Sequence, residues 1–185
     1  MLHPPSDTPA LIGSLPLSGA RVDLSVFSPA DITDTYIGWL NDAEVVRFSN
    51  QRFRTHTLET CARYLASFDG SDNLFLSVRL RGGEAVGTMT VYYSRPHQTA
   101  DVGIMIGDRA MWGQGVGQDA WSTVVNWLAR HDAVRKVTAG ALACNVGMVR
   151  LMERSGMTLE GRRERQEIVD GREVDILYYA RFHDA

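Results

Sequence analysis

The chain has 185 residues, 44% hydrophobic and 22% charged, a balance that suits one globular domain with a sheet covered by helices. Nineteen Lys and Arg against 22 Asp and Glu give a net charge of −3, which argues against a nucleic-acid binder and against a protein held on anionic membranes. No apolar run approaches the roughly 18 residues needed to span a bilayer. Cys61 and Cys144 are isolated, so they read as reduced thiols of a cytoplasmic protein rather than as a disulfide framework. Residues 1–19 hold four of the six prolines and no Lys or Arg, unlike a secretion signal. They are expected to form a loose N-terminal arm ahead of a single domain over residues 20–182.

In chain order, Val22, Leu24 and Val26 alternate within 21–27, the mark of a half-buried strand. Ser28-Pro29 then signals a helix start, with Ile32, Tyr36, Trp39 and Leu40 on one side and a stop near Asn41-Asp42. Thr57 is placed to cap a second helix whose stripe is Leu58, Cys61, Ala62, Leu65 and Phe68. Strands are expected at 74–80, 85–93 and 99–106, with Gly82-Gly83 closing the first pair. A helix at 116–131, a strand at 135–143 and a helix at 146–155 follow. Two last strands flank Asp170-Gly171, a strong hairpin signal. Hairpins joined to later β-α-β crossings imply a mixed α/β sheet.

The segment from Gly107 to Gly117 carries glycines at 113, 115 and 117 between a strand and a helix. Without Cβ atoms the backbone turns tightly and approaches a ligand closely. The helix then offers unpaired N–H groups and a positive dipole end to an anion, ideally a pyrophosphate. A P-loop would need Gly-Lys-Ser/Thr here, and a dinucleotide fingerprint would need a glycine at Gln118 and an earlier strand. A plain glycine-rich connection is the competing reading.

Asp101 to Gly117, followed by Lys136 to Gly156, resemble the two cofactor-binding motifs of the GNAT N-acetyltransferase superfamily. The Trp112-Gly113-Gln114-Gly115 wording is similar to the ribosomal-protein-acetyltransferase-like branch, although Trp112 replaces the more usual Gln or Arg. The resemblance implies an α/β GNAT fold with a mixed, mostly antiparallel sheet, helices on both faces, and a splay between its fourth and fifth strands. It also implies acetyl-CoA as co-substrate and no metal. Backbone amides from Gly113 through Gln114, Gly115, Val116, Gly117 and Gln118 would hold the CoA pyrophosphate. Met105 and Ile106 would pair with the pantetheine arm as an added strand. Asn145, opening the Asn145-to-Met157 motif, would offer its amide to the pantetheine, with a helix N-cap as its ordinary role. Arg150 and Arg154 would reach CoA phosphates or else face solvent.

In this superfamily the amine attacks the thioester directly. The positions where relatives carry a Tyr or Ser proton donor are Met152 and Met148 here, so water, Tyr178 or Tyr179 must serve, or activity is weak or lost in a CoA-binding module. A thiolate with a pKa of about 8.5 leaves readily. Glu167 is the first choice for the base, with Asp101 at the start of the splayed strand next, and Glu160 read as a turn residue. His56 and His97 are read as exposed loop histidines, and Cys144 as a buried structural cysteine rather than a nucleophile. Deprotonating a lysine at neutral pH costs about 4.6 kcal/mol, whereas an α-amine is roughly 10% neutral. An amino sugar or an α-amine therefore fits better.

Residues 36–54 would form the substrate wall. Trp39, Asn41, Arg47, Phe48 and Arg52 lie in a stretch that resembles N-acetyltransferases of nucleotide-linked amino sugars. Arg47, Arg52 and Arg54 would hold a diphosphate, and Phe48 and Phe53 would stack a base. A solvated arginine-rich surface is the competing reading, and a protein N-terminus is the rival acceptor. The partners expected are acetyl-CoA and a small amine, with no nucleic acid or membrane; a homodimer is allowed for.

Overall fold

The computed structural model describes Leu11–His183. Its sheet has eight strands in the order β1-β2-β3-β4-β5-β6-β8-β7. These are β1 (Leu17–Ser18), β2 (Val22–Val26), β3 (Leu74–Leu80), β4 (Ala85–Ser94), β5 (Thr99–Ile106), β6 (Lys136–Leu142), β7 (Thr158–Val169) and β8 (Arg172–Phe182). Every neighbouring pair is antiparallel except β5 with β6. Helices α1 (Asp34–Asn41), α2 (Leu58–Ala66), α3 (Val116–Ala129) and α4 (Val146–Arg154) complete the fold. No helix among the described residues is long and apolar enough to cross a membrane.

The pleat divides the core between the two faces of the sheet. On one face, Val22, Leu24, Leu76, Val78 and Val91 are fully or almost fully buried in a cluster with Trp121, Val124 and Leu128 of α3 and Met152 of α4. Each such side chain contributes about 1.5–3 kcal/mol of burial. The Trp121 indole N–H finds a partner inside this core, donating to Ser155 Oγ at 3.0 Å. On the other face, Phe27 and Phe75 stack at 4.3 Å between centroids and pack with Tyr36 and Leu40 of α1 and Cys61 of α2.

The elements follow the expected order with two differences. The expected loose arm over 1–19 is anchored in its described part: Leu11 is fully buried, Leu17–Ser18 pairs with β2, and Leu15 and Leu17 pack on the main core. Its leucines attach it where its prolines suggest otherwise, while residues 1–10 lie outside the described ones. The helix expected from Ser28 begins instead at Asp34. Ser28 caps only the 3₁₀ turn Pro29–Asp31, and Thr33 supplies a second cap by accepting from Tyr36 N at 3.2 Å.

The start of α3 is fastened to the sheet. The Asp119 carboxylate accepts the N–H groups of Ala20, Arg21 and Val22 at 3.0, 2.7 and 3.1 Å. Three charge-assisted bonds thereby fix the end of the glycine loop against β2.

Candidate active site

Strands β5 and β6 pair only over Thr99–Asp101 with Lys136–Thr138. Beyond Asp101 they diverge, and the rest of β5 keeps β4 on one side and has no strand on the other. A cavity of about 1230 Å³ runs from this fork, between the starts of α3 and α4, to the wall formed by the 44–56 segment and α2. Among the residues expected to bind cofactor, β5 contributes Met105 and Ile106, the loop Trp112, Gly113 and Gly115, α3 Gly117 and Gln118, and α4 Asn145 and Arg150.

Gly115 caps α3 with φ at +81°, a left-handed conformation that glycine adopts without strain. The N–H groups of the first helical turn that follows have no intrahelical acceptor and are available to an anion. Val116 is buried at 3% exposure, so its side chain anchors the helix and only its N–H is offered. Gln114 lines neither this cavity nor the smaller one that adjoins it, and its carbonyl accepts from Arg21 at 2.8 Å. The Trp112 indole donates to the Ile106 carbonyl at 2.8 Å, so it closes the loop back onto β5. Gln118 donates through Nε2 to Ser122 at 2.9 Å, while its buried Oε1 has no partner among the described residues. A cluster of free donors with one orphaned acceptor suits a ligand that combines phosphates with amide N–H groups.

Asn145 performs its capping role, its Oδ1 accepting from Met148 N at 3.2 Å, and its Nδ2 has no acceptor among the described residues. Met148 lines the cavity, whereas Met152 is fully buried in the core. The tyrosines considered as proton donors stand elsewhere. Tyr179 donates to Glu153 at 3.1 Å, and Tyr178 packs against Gly140 and under Arg163. Neither lines the cavity.

Residues 21–158 match the family model described as an acetyltransferase (GNAT) domain. The chain belongs to the GNAT acetyltransferase family. Solved structures agree at the level of the fold. A ribosomal L7/L12 α-N-protein acetyltransferase in complex with coenzyme A shares 18% identity at a TM-score of 0.77, covering 91% of this chain and 97% of that one. Spermidine N-acetyltransferase from Vibrio cholerae, in complex with CoA and spermine, shares 13% at 0.78, covering 89% and 96%. Ribosomal-protein-S5-alanine acetyltransferase from Vibrio fischeri shares 15% at 0.77, covering 92% and 98%. A search of curated proteins gives no match.

In this GNAT acetyltransferase the two carboxylates expected as bases stand differently. Glu167 lines neither cavity; Arg52 holds it at 3.3 Å. Asp101 lines neither cavity itself but sits at the apex of the fork, two residues before Gly103 and on the same face of β5 as Gly103 and Met105, which line the large one. Asp101 keeps an exposed edge, but partial loss of water at the fork raises its carboxyl above the ordinary value, opposed by the Thr138 hydroxyl, which donates to it at 2.7 Å. Glu160, read as a turn residue, lies within β7 and pairs with Lys136.

The expected substrate residues also separate. Arg47 and Phe48 line the large cavity, the guanidinium 5.4 Å from the ring centroid. Trp39 lines neither cavity and packs over Gly107, where an added Cβ would lie 2.1 Å from the indole. Arg52 and Asn41 line an adjoining cavity of about 400 Å³. The Asn41 side chain is spent on its own chain, bonding the carbonyls of Ile37 and His56 and the N–H of His56. His56, passed over in the sequence as a loop residue, is the one imidazole lining the large cavity among the described residues, with Nε2 3.4 Å from the Gln51 carbonyl. Nothing in the sequence singles it out, because the Asn41 bonds that fix its place go to its backbone. Cys144, expected to be buried, is exposed in the turn between β6 and α4, because the strand ends at Leu142.

Proposed function

We propose that the protein is an acetyl-CoA-dependent N-acetyltransferase whose acceptor is a small amine, specifically an amino sugar carried on a nucleotide diphosphate. The observation that carries this reading is the charge of the cavity wall. On the acceptor side Arg54 lines the cavity with Arg47 and Arg63, which are paired with Asp170 and Glu59, and with the rings of Phe48, Tyr64 and Tyr92, while Glu44 is the only carboxylate among the described lining residues. A polyamine would need several carboxylates to replace its water. A phosphate-bearing acceptor meets guanidinium donors and aromatic faces.

Acetyl-CoA supplies an activated acetyl thioester. The chain's own groups fit it: the first-turn N–H groups of α3 for the pyrophosphate, Gln118 Oε1 for an amide N–H, and the unpaired edge of β5 for the pantetheine. Arg150 and Arg154 on α4 add positive charge to the same wall. Asp101 takes the proton of the attacking amine, and its raised carboxyl brings it nearer to the basicity a proton acceptor needs at neutral pH. His56, which lines the cavity where Asp101 stands just outside its lining, is the second proton acceptor. No side chain donates to the leaving thiolate in this reading, which its low basicity allows. The two kinds of neighbour, polyamine and ribosomal-protein acetyltransferases, frame the rival acceptors.

The test is mass spectrometry of products from acetyl-CoA with pooled nucleotide amino sugars, spermidine and N-terminal peptides, with free thiol measured in parallel. Acetylation of the nucleotide amino sugar is expected. Acetylation of peptides alone replaces this reading with the ribosomal type, and absence of amine-dependent thiol release leaves a CoA-binding module.

A further inference from the structure

The smaller cavity has a distinctive wall. Three guanidiniums, Arg47, Arg52 and Arg54, surround it, with Asp170 as the one carboxylate lining it. Two of the three are neutralised by the β7–β8 hairpin. Arg47 Nη2 bonds Asp170 Oδ2 at 2.7 Å, and Arg52 Nη2 bonds Glu167 Oε2 at 3.3 Å and donates from Nη1 to the Ser49 carbonyl at 2.9 Å. The guanidinium of Arg54 has no acceptor among the described residues. It also lines the large cavity, and the two hollows share Leu40, Val46 and Thr55 as a common wall.

We infer that this smaller cavity is a phosphate subsite of the acceptor pocket, with Arg54 as the residue that reads the phosphate. The inference rests on the reading of the large cavity as the place of acetyl transfer. Like charges around one small hollow repel, and the protein offsets only two of the three. An acceptor that brings its own dianion supplies the missing counter-charge and receives the planar donor fork of a guanidinium. Size points the same way. About 400 Å³ holds roughly a dozen water-sized groups, more than a carboxylate fills and enough for a phosphate with part of a sugar. The main chain presents Arg54 at a fixed place, because its N–H caps the 3₁₀ turn Asn50–Phe53 by donating to the Gln51 carbonyl at 3.0 Å. Arg47 and Arg52 have the structural task of pinning this segment to the hairpin. That separates them from the reading task assigned to Arg54.

The experiment measures amine-dependent thiol release from acetyl-CoA with four acceptors: a nucleotide-linked amino sugar, an amino-sugar phosphate, an amino acid and glucosamine. Arg54→Ala is expected to raise KM for the two phosphorylated acceptors by about 10- to 150-fold, with kcat within threefold and glucosamine shifted less than twofold. Arg54→Lys should recover part of the loss. Arg172→Ala, on the exposed start of β8 outside both cavities, controls for lost net charge and should change nothing. Equal shifts for phosphorylated and uncharged acceptors, or a shift for the amino acid alone, overturn the inference. A wild-type enzyme that releases thiol with none of the amines overturns the proposed function instead, and a binding titration of the nucleotide amino sugar against wild type and Arg54→Ala still decides the subsite.

Discussion

Asn41 grips both backbone polar atoms of His56: its Oδ1 accepts from the His56 N–H at 2.9 Å and its Nδ2 donates to the His56 carbonyl at 2.8 Å. The same Nδ2 reaches the Ile37 carbonyl at 3.1 Å, so one side chain ties the last turn of α1 to the segment entering α2. Asn41→Ala should lower stability by about 1–3 kcal/mol. It should also raise KM for the acceptor while the Kd for CoA stays within twofold. Thermal melting with paired acceptor and CoA titrations checks this. An acceptor KM that does not move would show that the loop keeps its shape unaided.

Asp101 gives a prediction in which stability and activity part company. Its folded carboxyl lies above the ordinary value because partial desolvation at the fork disfavours the charge, with the Thr138 hydroxyl opposing. The fold therefore favours the protonated form, and the cost of ionising it is incurred as pH rises from about 4 through the raised value. Asp101→Asn removes that cost, so at neutral pH it should melt no lower than wild type. The same variant should lose about 10²-fold or more in kcat/KM. A loss under threefold would transfer proton acceptance to His56, and His56→Gln would then carry the deficit.

Gly117 lies in the first turn of α3, where an added Cβ would sit 3.4 Å from Ile106 Cγ1 on the cavity wall. Gly117→Glu places bulk and negative charge where the phosphates of CoA are proposed to lie. Calorimetry should show CoA affinity falling at least tenfold with the far-ultraviolet circular dichroism unchanged. Undiminished affinity would remove the loop from the cofactor site.

The two thiols should be distinguishable by access. Cys144 is exposed, and Cys61 is 4% exposed with its thiol pushed up by burial. One thiol per chain should react promptly with a disulfide reagent under native conditions and two in denaturant. Labelling of Cys61 in the native protein at a comparable rate would mean that α2 opens readily.

The regular elements were legible because their signals are local. Thr57, Gly82-Gly83 and Asp170-Gly171 punctuate the chain where helices and hairpins begin or turn, and the glycines at 113, 115 and 117 mark the loop now found at the cavity. What the sequence hid depends on distance. Glu167 reads as a free carboxylate until Arg52, 115 residues away, is seen to hold it. Asn41 and Trp39 read as ligand contacts because polar and aromatic residues near a site look alike, whether they touch a ligand or prop up the wall that does. Leu11 was concealed by the prolines around it, since composition cannot show that one leucine reaches the core.

The parallel seam between β5 and β6 is three residue pairs long. Across it the two halves of the sheet share little hydrogen bonding, and α3, which contacts both strands, bridges them from below. The opening of the fork should therefore respond to the packing beneath it, where Trp121, Ala139 and Met152 are buried in one cluster. A methylene added or removed there should act as a shim under the channel proposed for the pantetheine. Mutations far from any ligand should therefore retune turnover, and a screen for altered activity should recover core positions as often as residues on the cavity wall.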